Sequence, residues 1–130
     1  MEQKYIIAKQ AYNNSFATYS HFQVGACLVL KSGEYVMGTN IENASYGLTN
    51  CAERSALFSA YSQGYRKNDI KELIVMSKNG VSPCGACRQV IVELMDSHAD
   101  VTICNLDGVG YTIKVKELLP NMFSEADLNE

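Results

Sequence analysis

Two short cysteine motifs constrain this chain more than any other feature: Cys51-Ala52-Glu53 and Pro83-Cys84-Gly85-Ala86-Cys87, each placed where a helix is predicted to begin. Cysteines three apart share a helical face and can reach one metal ion, and Cys51 at the start of a neighbouring helix can supply a third sulfur. Three protein ligands leave one position of a tetrahedral ion open. An open position separates a catalytic zinc site from a closed structural one, which has no room for a water or a substrate. Glu53 belongs to the same constellation. Every Cα–Cβ bond of a helix tilts toward its N-terminus, so Cys51 and Glu53 can straddle an ion near the first turn.

Each of these residues has a plainer alternative. Asn50 followed three residues later by Glu53 resembles a capping box, in which the carboxylate serves a backbone amide and no chemistry. The Cys84/Cys87 pair alone reads equally as a thioredoxin-like redox couple or as two unligated core thiols. A redox pair has no use for Cys51-Ala52-Glu53, however, and a ligand set with an open position needs a proton carrier beside it. Cys27 and Cys104 fall inside predicted strands and read as small buried apolar residues. His21 and His98 are not at metal-ligand spacing and read as ordinary surface or satisfied histidines.

Apolar periodicity supplies the frame around these motifs. From Glu2 to Tyr19, the residues Tyr5, Ala8, Tyr12, Phe16 and Tyr19 recur as on one face of an amphipathic helix. Phe22 to Leu30 and Tyr35 to Ile41 are strand-like and joined by Lys31-Ser32-Gly33-Glu34, a loop of hairpin length, so an antiparallel pair is expected. A polar stretch, Glu42 to Asn50, leads into a helix from Cys51 to Ser62 that Gly64 stops. Leu-Ile-Val-Met within Glu72 to Ser77 is a strand covered on both faces. Ser82-Pro83 predicts a helix start, with the helix running to about His98. Val101 to Cys104 and Tyr111 to Val115 are strands whose connection is too short for a parallel crossover, so the last two strands are antiparallel. The expected fold is α/β: a three-layer α/β/α sandwich around a mixed five-stranded sheet.

Length and composition limit what such a frame can serve. The 130 residues make a single domain, 1–130, and with 47% hydrophobic and 19% charged residues the chain is an ordinary globular one, not a disordered one. Eleven basic against fourteen acidic side chains leave a net charge of −3. The bases are scattered, with Arg66-Lys67 the only adjacent pair, so no patch suits a phosphate backbone and nucleic acid is not an expected partner. No apolar run approaches the ~18 residues that cross a bilayer. The start MEQKYIIAKQ lacks a signal-peptide core, and five cysteines are an odd set for a disulfide framework. A cytoplasmic protein with a small, weakly charged partner and no membrane association is expected.

Four stretches then carry a family resemblance across nearly the whole chain: Tyr19-Ser20-His21-Phe22-Gln23-Val24-Gly25-Ala26, NIENASYGLTNCAERSA from Asn40 to Ala56, PCGACRQ from Pro83 to Gln89, and Glu117-Leu118-Leu119-Pro120. In these the chain resembles the small homotetrameric cytidine deaminases. The resemblance implies one zinc ion per chain held by Cys51, Cys84 and Cys87, with a zinc-bound hydroxide attacking C4 of cytidine or 2′-deoxycytidine. It implies Glu53 as the catalytic proton shuttle, uridine or 2′-deoxyuridine plus ammonia as products, and a place in pyrimidine salvage without an organic cofactor. Arg54 matches the arginine that hydrogen-bonds the ligand thiolates, offsetting the net −1 charge of three thiolates on a divalent ion. Phe22 matches the residue stacked near the base, Asn40 and Glu42 the pair at the ribose 3′-hydroxyl, and the Ala52 amide the contact to the base carbonyl. Ala44, Tyr46 and Phe123 match positions that reach an adjacent subunit's active site, so a homotetramer with sites completed by neighbours is implied. His21 stands at a position variable in the family, and Cys27 is an additional thiol.

Two other readings remain at this point. One is a non-catalytic zinc-stabilised interaction module, with Glu53 as a cap and a fourth ligand from elsewhere. The other is a relative acting on another aminopyrimidine nucleoside such as blasticidin S. Asn40-Ile41-Glu42-Asn43 favours ordinary ribose recognition, and the carboxylate of Glu42 favours a nucleoside over a phosphorylated substrate.

Overall fold

The computed structural model describes residues 1–120; Phe123, one of the expected site residues, lies outside them. Eight main elements follow the chain in order. They are α1 (Gln3–Asn13), β1 (Val24–Leu30), β2 (Tyr35–Thr39), α2 (Ala52–Ser62), β3 (Ile70–Ser77), α3 (Gly85–Leu94), β4 (Asp100–Cys104) and β5 (Gly110–Lys114). The β-branched runs pair into one five-stranded sheet in the order β2-β1-β3-β4-β5.

β1 pairs antiparallel with both β2 and β3, setting Cys27 opposite Met37 on one side and Ile74 on the other. Only β3 and β4 are parallel, with Ile74 beside Thr102. A parallel pair requires a crossover, and α3 supplies it. The last two strands are antiparallel, as expected, with Thr102 opposite Thr112.

Period-two alternation sends successive strand residues to opposite faces. On one face Leu28, Leu73, Val75, Val101 and Ile103 meet Ala56, Leu57, Ala60 and Ile91 from α2 and α3. On the other, Cys27, Ile74, Met76 and Cys104 meet Ala8 of α1, with Tyr5 and Ile7 beside it. Both faces of β3 are therefore buried, which its unbroken apolar run requires, and the sheet is the middle of three layers. A polar strut joins α1 to the sheet: Lys4 Nζ lies 2.9 Å from Glu72 Oε1, and Thr102 Oγ1 donates to Glu72 Oε2 at 2.7 Å. Lys4 remains partly open to solvent, so the strut acts mainly by fixing where α1 meets the sheet.

Helix ends depart from the sequence expectation in two places. α1 stops at Asn13 rather than continuing to Tyr19, and Phe16 and Tyr19 are exposed. Asn13, Asn14 and Ser15 compete for backbone hydrogen bonds and are poor helix formers. The chain beyond them pairs instead with the segment after β2: the Phe16 amide donates to Asn40 O and the Glu42 amide to Phe16 O. α3 starts at Gly85, not at Ser82-Pro83, and ends at Leu94, where Met95 is extended at φ −120° and ψ 151°. The Ser82 hydroxyl caps nothing there; it accepts a hydrogen bond from Arg88 Nη2. Gly64 does end α2, in the left-handed region at φ 97°.

Gly38 is where the sheet and α2 come closest. A Cβ at this position would lie 2.3 Å from Ala56 N and 2.4 Å from Ala52 O, both backbone atoms of the helix that carries the first cysteine motif. Gly38→Ala is therefore expected to lower stability by about 1–3 kcal/mol, the usual cost of overpacking. Gly47→Ala, with nothing within 4 Å of the added carbon, should leave the urea midpoint nearly unchanged. Equal midpoints for the two variants would refute this account of the α2 contact.

Candidate active site

The two helices on the common face of the sheet begin next to one another. Cys51 occupies the N-cap position of α2 and Cys84 that of α3, both in extended backbone, and neither side chain makes a capping hydrogen bond. Cys87 follows one turn into α3 and is fully buried. The three sulfurs all lie within 4.8 Å of one another, and no other group of three His, Cys, Asp or Glu ligand atoms among the described residues clusters in this way. All three thiols are free of disulfides.

The donor chemistry fits zinc. Thiolates at about 2.3 Å from a tetrahedral ion sit about 3.8 Å apart, so only a small contraction of the trio is needed. Soft sulfur donors select zinc over hard cations such as magnesium. Among the described residues no fourth His, Cys, Asp or Glu ligand atom joins this group, so a tetrahedral ion held here would keep one position open.

The electrostatics favour deprotonation of one member of the trio. The Cys51 thiol is pulled down to about 5, first by the hydrogen bond it receives from Cys87 and then by Arg54, whose Nη2 lies 3.2 Å from Cys51 Sγ. Cys87 moves in the opposite direction, because it holds the proton shared with Cys51 and is buried. Without a metal the trio thus gives up its first proton easily and its last with difficulty; a divalent ion offsets the accumulated charge. Arg54 is pushed further up by the same Cys51 contact, so it is a permanent cation here.

Glu53 is only 4% exposed. Its carboxyl is raised above the ordinary range, chiefly by burial. The capping-box alternative does not form: Cys51, not Asn50, is the N-cap residue, and Asn50 Nδ2 instead donates to Ser55 Oγ at 3.3 Å. A carboxyl that is buried, carries a raised pKa and borders a cleft is the usual signature of acid–base work.

That cleft has a volume of about 310 Å³, and Cys51, Ala52, Glu53 and Cys84 all border it. Five of the seven residues expected at the substrate, Phe22, Asn40, Glu42, Ala52 and Tyr46, also line it. Ala44 does not; it is exposed on the loop before Tyr46. Asn40 is buried and largely engaged with its own chain: Oδ1 accepts from the Val24 amide at 2.9 Å and from Ser15 Oγ, while Nδ2 donates to Phe22 O at 2.8 Å. One amide hydrogen is left over for a ligand. His98 is exposed and His21 stands outside the metal group, but His21 adopts φ 59°, an uncommon conformation for a residue other than glycine.

Sequence reasoning overlooked Ser20, Val81, Ser82 and Pro83, which also border the cleft. It also overlooked Arg88. That guanidinium donates to Pro83 O at 2.8 Å, to Leu118 O at 2.7 Å and to Ser82 Oγ, bracing the loop that carries Cys84. Its adjacency to Cys87 was the available signal.

Comparison with known proteins agrees with this geometry. The family described as the cytidine and deoxycytidylate deaminase zinc-binding region matches residues 1–103. A cytidine deaminase of Halalkalibacterium halodurans is 50% identical over 95% of this chain and 93% of its own. One from Sporosarcina psychrophila is 43% identical over 94% and 90%. Among solved structures, the cytidine deaminase of Burkholderia pseudomallei is similar at a TM-score of 0.89 and 42% identity, covering 95% of this chain and 100% of that one.

The thiol electrostatics generate a pH-dependent outcome. A lowered pKa places the Cys51 thiolate above about pH 5, whereas Cys27, pushed up to about 12 by burial, and Cys104, to about 11, stay protonated. In the metal-free protein at pH 6, iodoacetamide should alkylate Cys51 first, as read by peptide mass spectrometry, and zinc should protect it. Arg54→Gln should move that reactivity to higher pH. Preferential labelling of Cys27 or Cys104 would contradict the assignment.

Proposed function

The chain belongs to the cytidine and deoxycytidylate deaminase zinc-binding family, and from that premise we propose that it hydrolytically deaminates free cytidine and 2′-deoxycytidine. The products are uridine and 2′-deoxyuridine with ammonia. The observation that carries the reading is a buried Glu53 on the cleft that Cys51 and Cys84 of the three-sulfur cluster also border.

Cys51, Cys84 and Cys87 would hold zinc, which when bound would supply Lewis acidity and make a water acidic enough to serve as a nucleophile near neutral pH. Glu53 accepts the proton of that water as it adds to C4 and passes it to N3 of the base. The same carboxyl then takes the remaining hydrogen from the new C4 hydroxyl as the carbonyl forms and delivers it to the amine, which leaves as ammonia as the C4–N bond breaks. One group can do both because burial raises its carboxyl above the ordinary carboxylate range, which makes it a readier proton carrier than an exposed glutamate. Arg54 draws charge from Cys51 and keeps the sulfur donors from cancelling the ion's Lewis acidity.

Phe22 borders the base, and the Ala52 amide at the first turn of α2 serves its carbonyl oxygen. Asn40 and Glu42 take the ribose 3′-hydroxyl. Glu42 carries a carboxyl held below its ordinary range by Ser20, and a fixed negative charge there repels a 5′-phosphate, which favours the free nucleoside. The chain acts as a single catalytic domain, 1–130, in the cytoplasm, in pyrimidine salvage.

A homotetramer completes the sites, with Ala44 and Tyr46 reaching a neighbouring subunit's site; Phe123, the third residue matched to that role, lies outside the described residues. Supporting this, Tyr46 borders the cleft yet is 88% exposed, and Leu48 beside it is 71% exposed. Apolar side chains left this open at the rim of a site are suited to cover by another chain.

Loss of ultraviolet absorbance as cytidine is deaminated tests the activity, and absence of turnover by the zinc-loaded protein refutes it. Glu53→Gln should lower kcat by about 10²- to 10⁴-fold while metal analysis still finds one zinc per chain. Retained activity in that variant would return Glu53 to a structural role. Light scattering should give four chains per particle, and Tyr46→Ala should raise KM more than it lowers kcat; a monomer with full activity would exclude shared sites.

A further inference from the structure

Ser20 and Phe22, which border the cleft, belong to a turn outside any helix or strand. His21 stands in the left-handed region at φ 59°, between Ser20 and Phe22, a conformation that persists only where neighbouring contacts enforce it. The His21 amide donates to Ala17 O at 2.9 Å and Asn40 Nδ2 to Phe22 O at 2.8 Å, while the residues before His21 are held by Glu42. Glu42 Oε1 accepts the Tyr19 and Ser20 amides, each at 2.9 Å, and Glu42 Oε2 accepts the Ser20 hydroxyl. Ser20 Oγ in turn accepts the Phe22 amide at 3.0 Å.

The direction of every hydrogen in this chain is settled by chemistry. An amide can only donate, so Ser20 Oγ is the acceptor for Phe22 and must direct its own hydrogen to the carboxylate, which can only accept. With Oε1 taking two amides, Oε2 retains the acceptor site for a ligand, and the Ser20 hydroxyl determines where it lies. The same hydroxyl anchors the backbone of Phe22, which also borders the cleft.

We propose that Ser20 is a positioning residue for the nucleoside sugar: its hydroxyl holds the Glu42 carboxylate in the orientation that accepts the ribose 3′-hydroxyl. This rests on the reading of Glu42 as a ribose contact. Ser20 itself touches neither the base nor the reacting atoms. Its effect is on preorganisation, because a carboxylate already held in place loses less freedom when the sugar arrives.

The test compares cytidine with 3′-deoxycytidine, using the zinc-loaded wild type, Ser20→Ala, Ser20→Thr and Glu42→Gln, with zinc content and circular dichroism checked for each. Wild type should show a lower KM for cytidine than for 3′-deoxycytidine. Ser20→Ala should raise the KM for cytidine about tenfold, the scale of one lost hydrogen bond to a charged group, with kcat changed by less than about twofold. The KM for 3′-deoxycytidine should barely move, and Ser20→Thr, which keeps the hydroxyl, should restore most of the preference. Discrimination that survives in Ser20→Ala, or a KM increase equal for both nucleosides, overturns the role of Ser20 while leaving the Glu42 contact standing. A wild type indifferent to the 3′-hydroxyl, or a Glu42→Gln variant that keeps full discrimination, overturns the ribose reading of Glu42 and the proposal together.

Discussion

Three sulfurs share one small volume because two helices begin side by side on the same face of one sheet. α2 is held there by close backbone approach: Gly38 of β2 presents no Cβ to Ala52 and Ala56, so the helix sits directly on the strand. α3 reaches the same face because it must cross from β3 to its parallel neighbour β4. Each helix residue advances about 1.5 Å, so a slip of one position in either helix would carry a sulfur away from a cluster only 4.8 Å across. The cleft, the buried Glu53 and the bracing of the Cys84 loop by Arg88 all depend on this shared origin.

Charge is managed differently at the two ends of the cleft. At the sulfur end the problem is excess negative charge in a buried place. Two helix N-termini and Arg54 moderate it, and Glu53 remains a carboxyl of raised pKa because burial opposes its ionisation. Beside the 19–20 turn the carboxylate of Glu42 is open to water and is kept ionised by three donors from that turn. One cleft therefore holds a carboxyl poised to exchange a proton and another poised to keep its charge, a division made by environment alone.

Much of this was legible along the chain. The β-branched and aromatic stretches 22–30 and 35–41 and the unbroken run Leu73 to Met76 are properties of neighbours in sequence, and the strands Val24–Leu30, Tyr35–Thr39 and Ile70–Ser77 lie within or across them. The end of α1 was less legible, since Phe16 and Tyr19 continue the helical spacing of Tyr5 and Tyr12 although the backbone there pairs with residues after β2. Periodicity registers which residues are apolar, not whether the backbone between them has a better partner elsewhere. Ser82 misled for a related reason: a serine before a proline resembles a cap, but Arg88 one turn into α3 claims its hydroxyl.

The site divides along the same line. Residue types and short spacings by themselves determined the donors, Cys51, Cys84 and Cys87, and the adjacency of Glu53 and Arg54, because those depend on side-chain chemistry and on one turn of helix. Only the folded chain decided that Cys51 Sγ meets the other two sulfurs, that Glu53 is buried, that Asn40 spends most of its amide on Val24, Phe22 and Ser15, and that Ser20 holds Glu42. Those relations join residues distant along the chain, and a sequence expresses them only through the packing of helices on a sheet, where distances follow from which surfaces exclude water together.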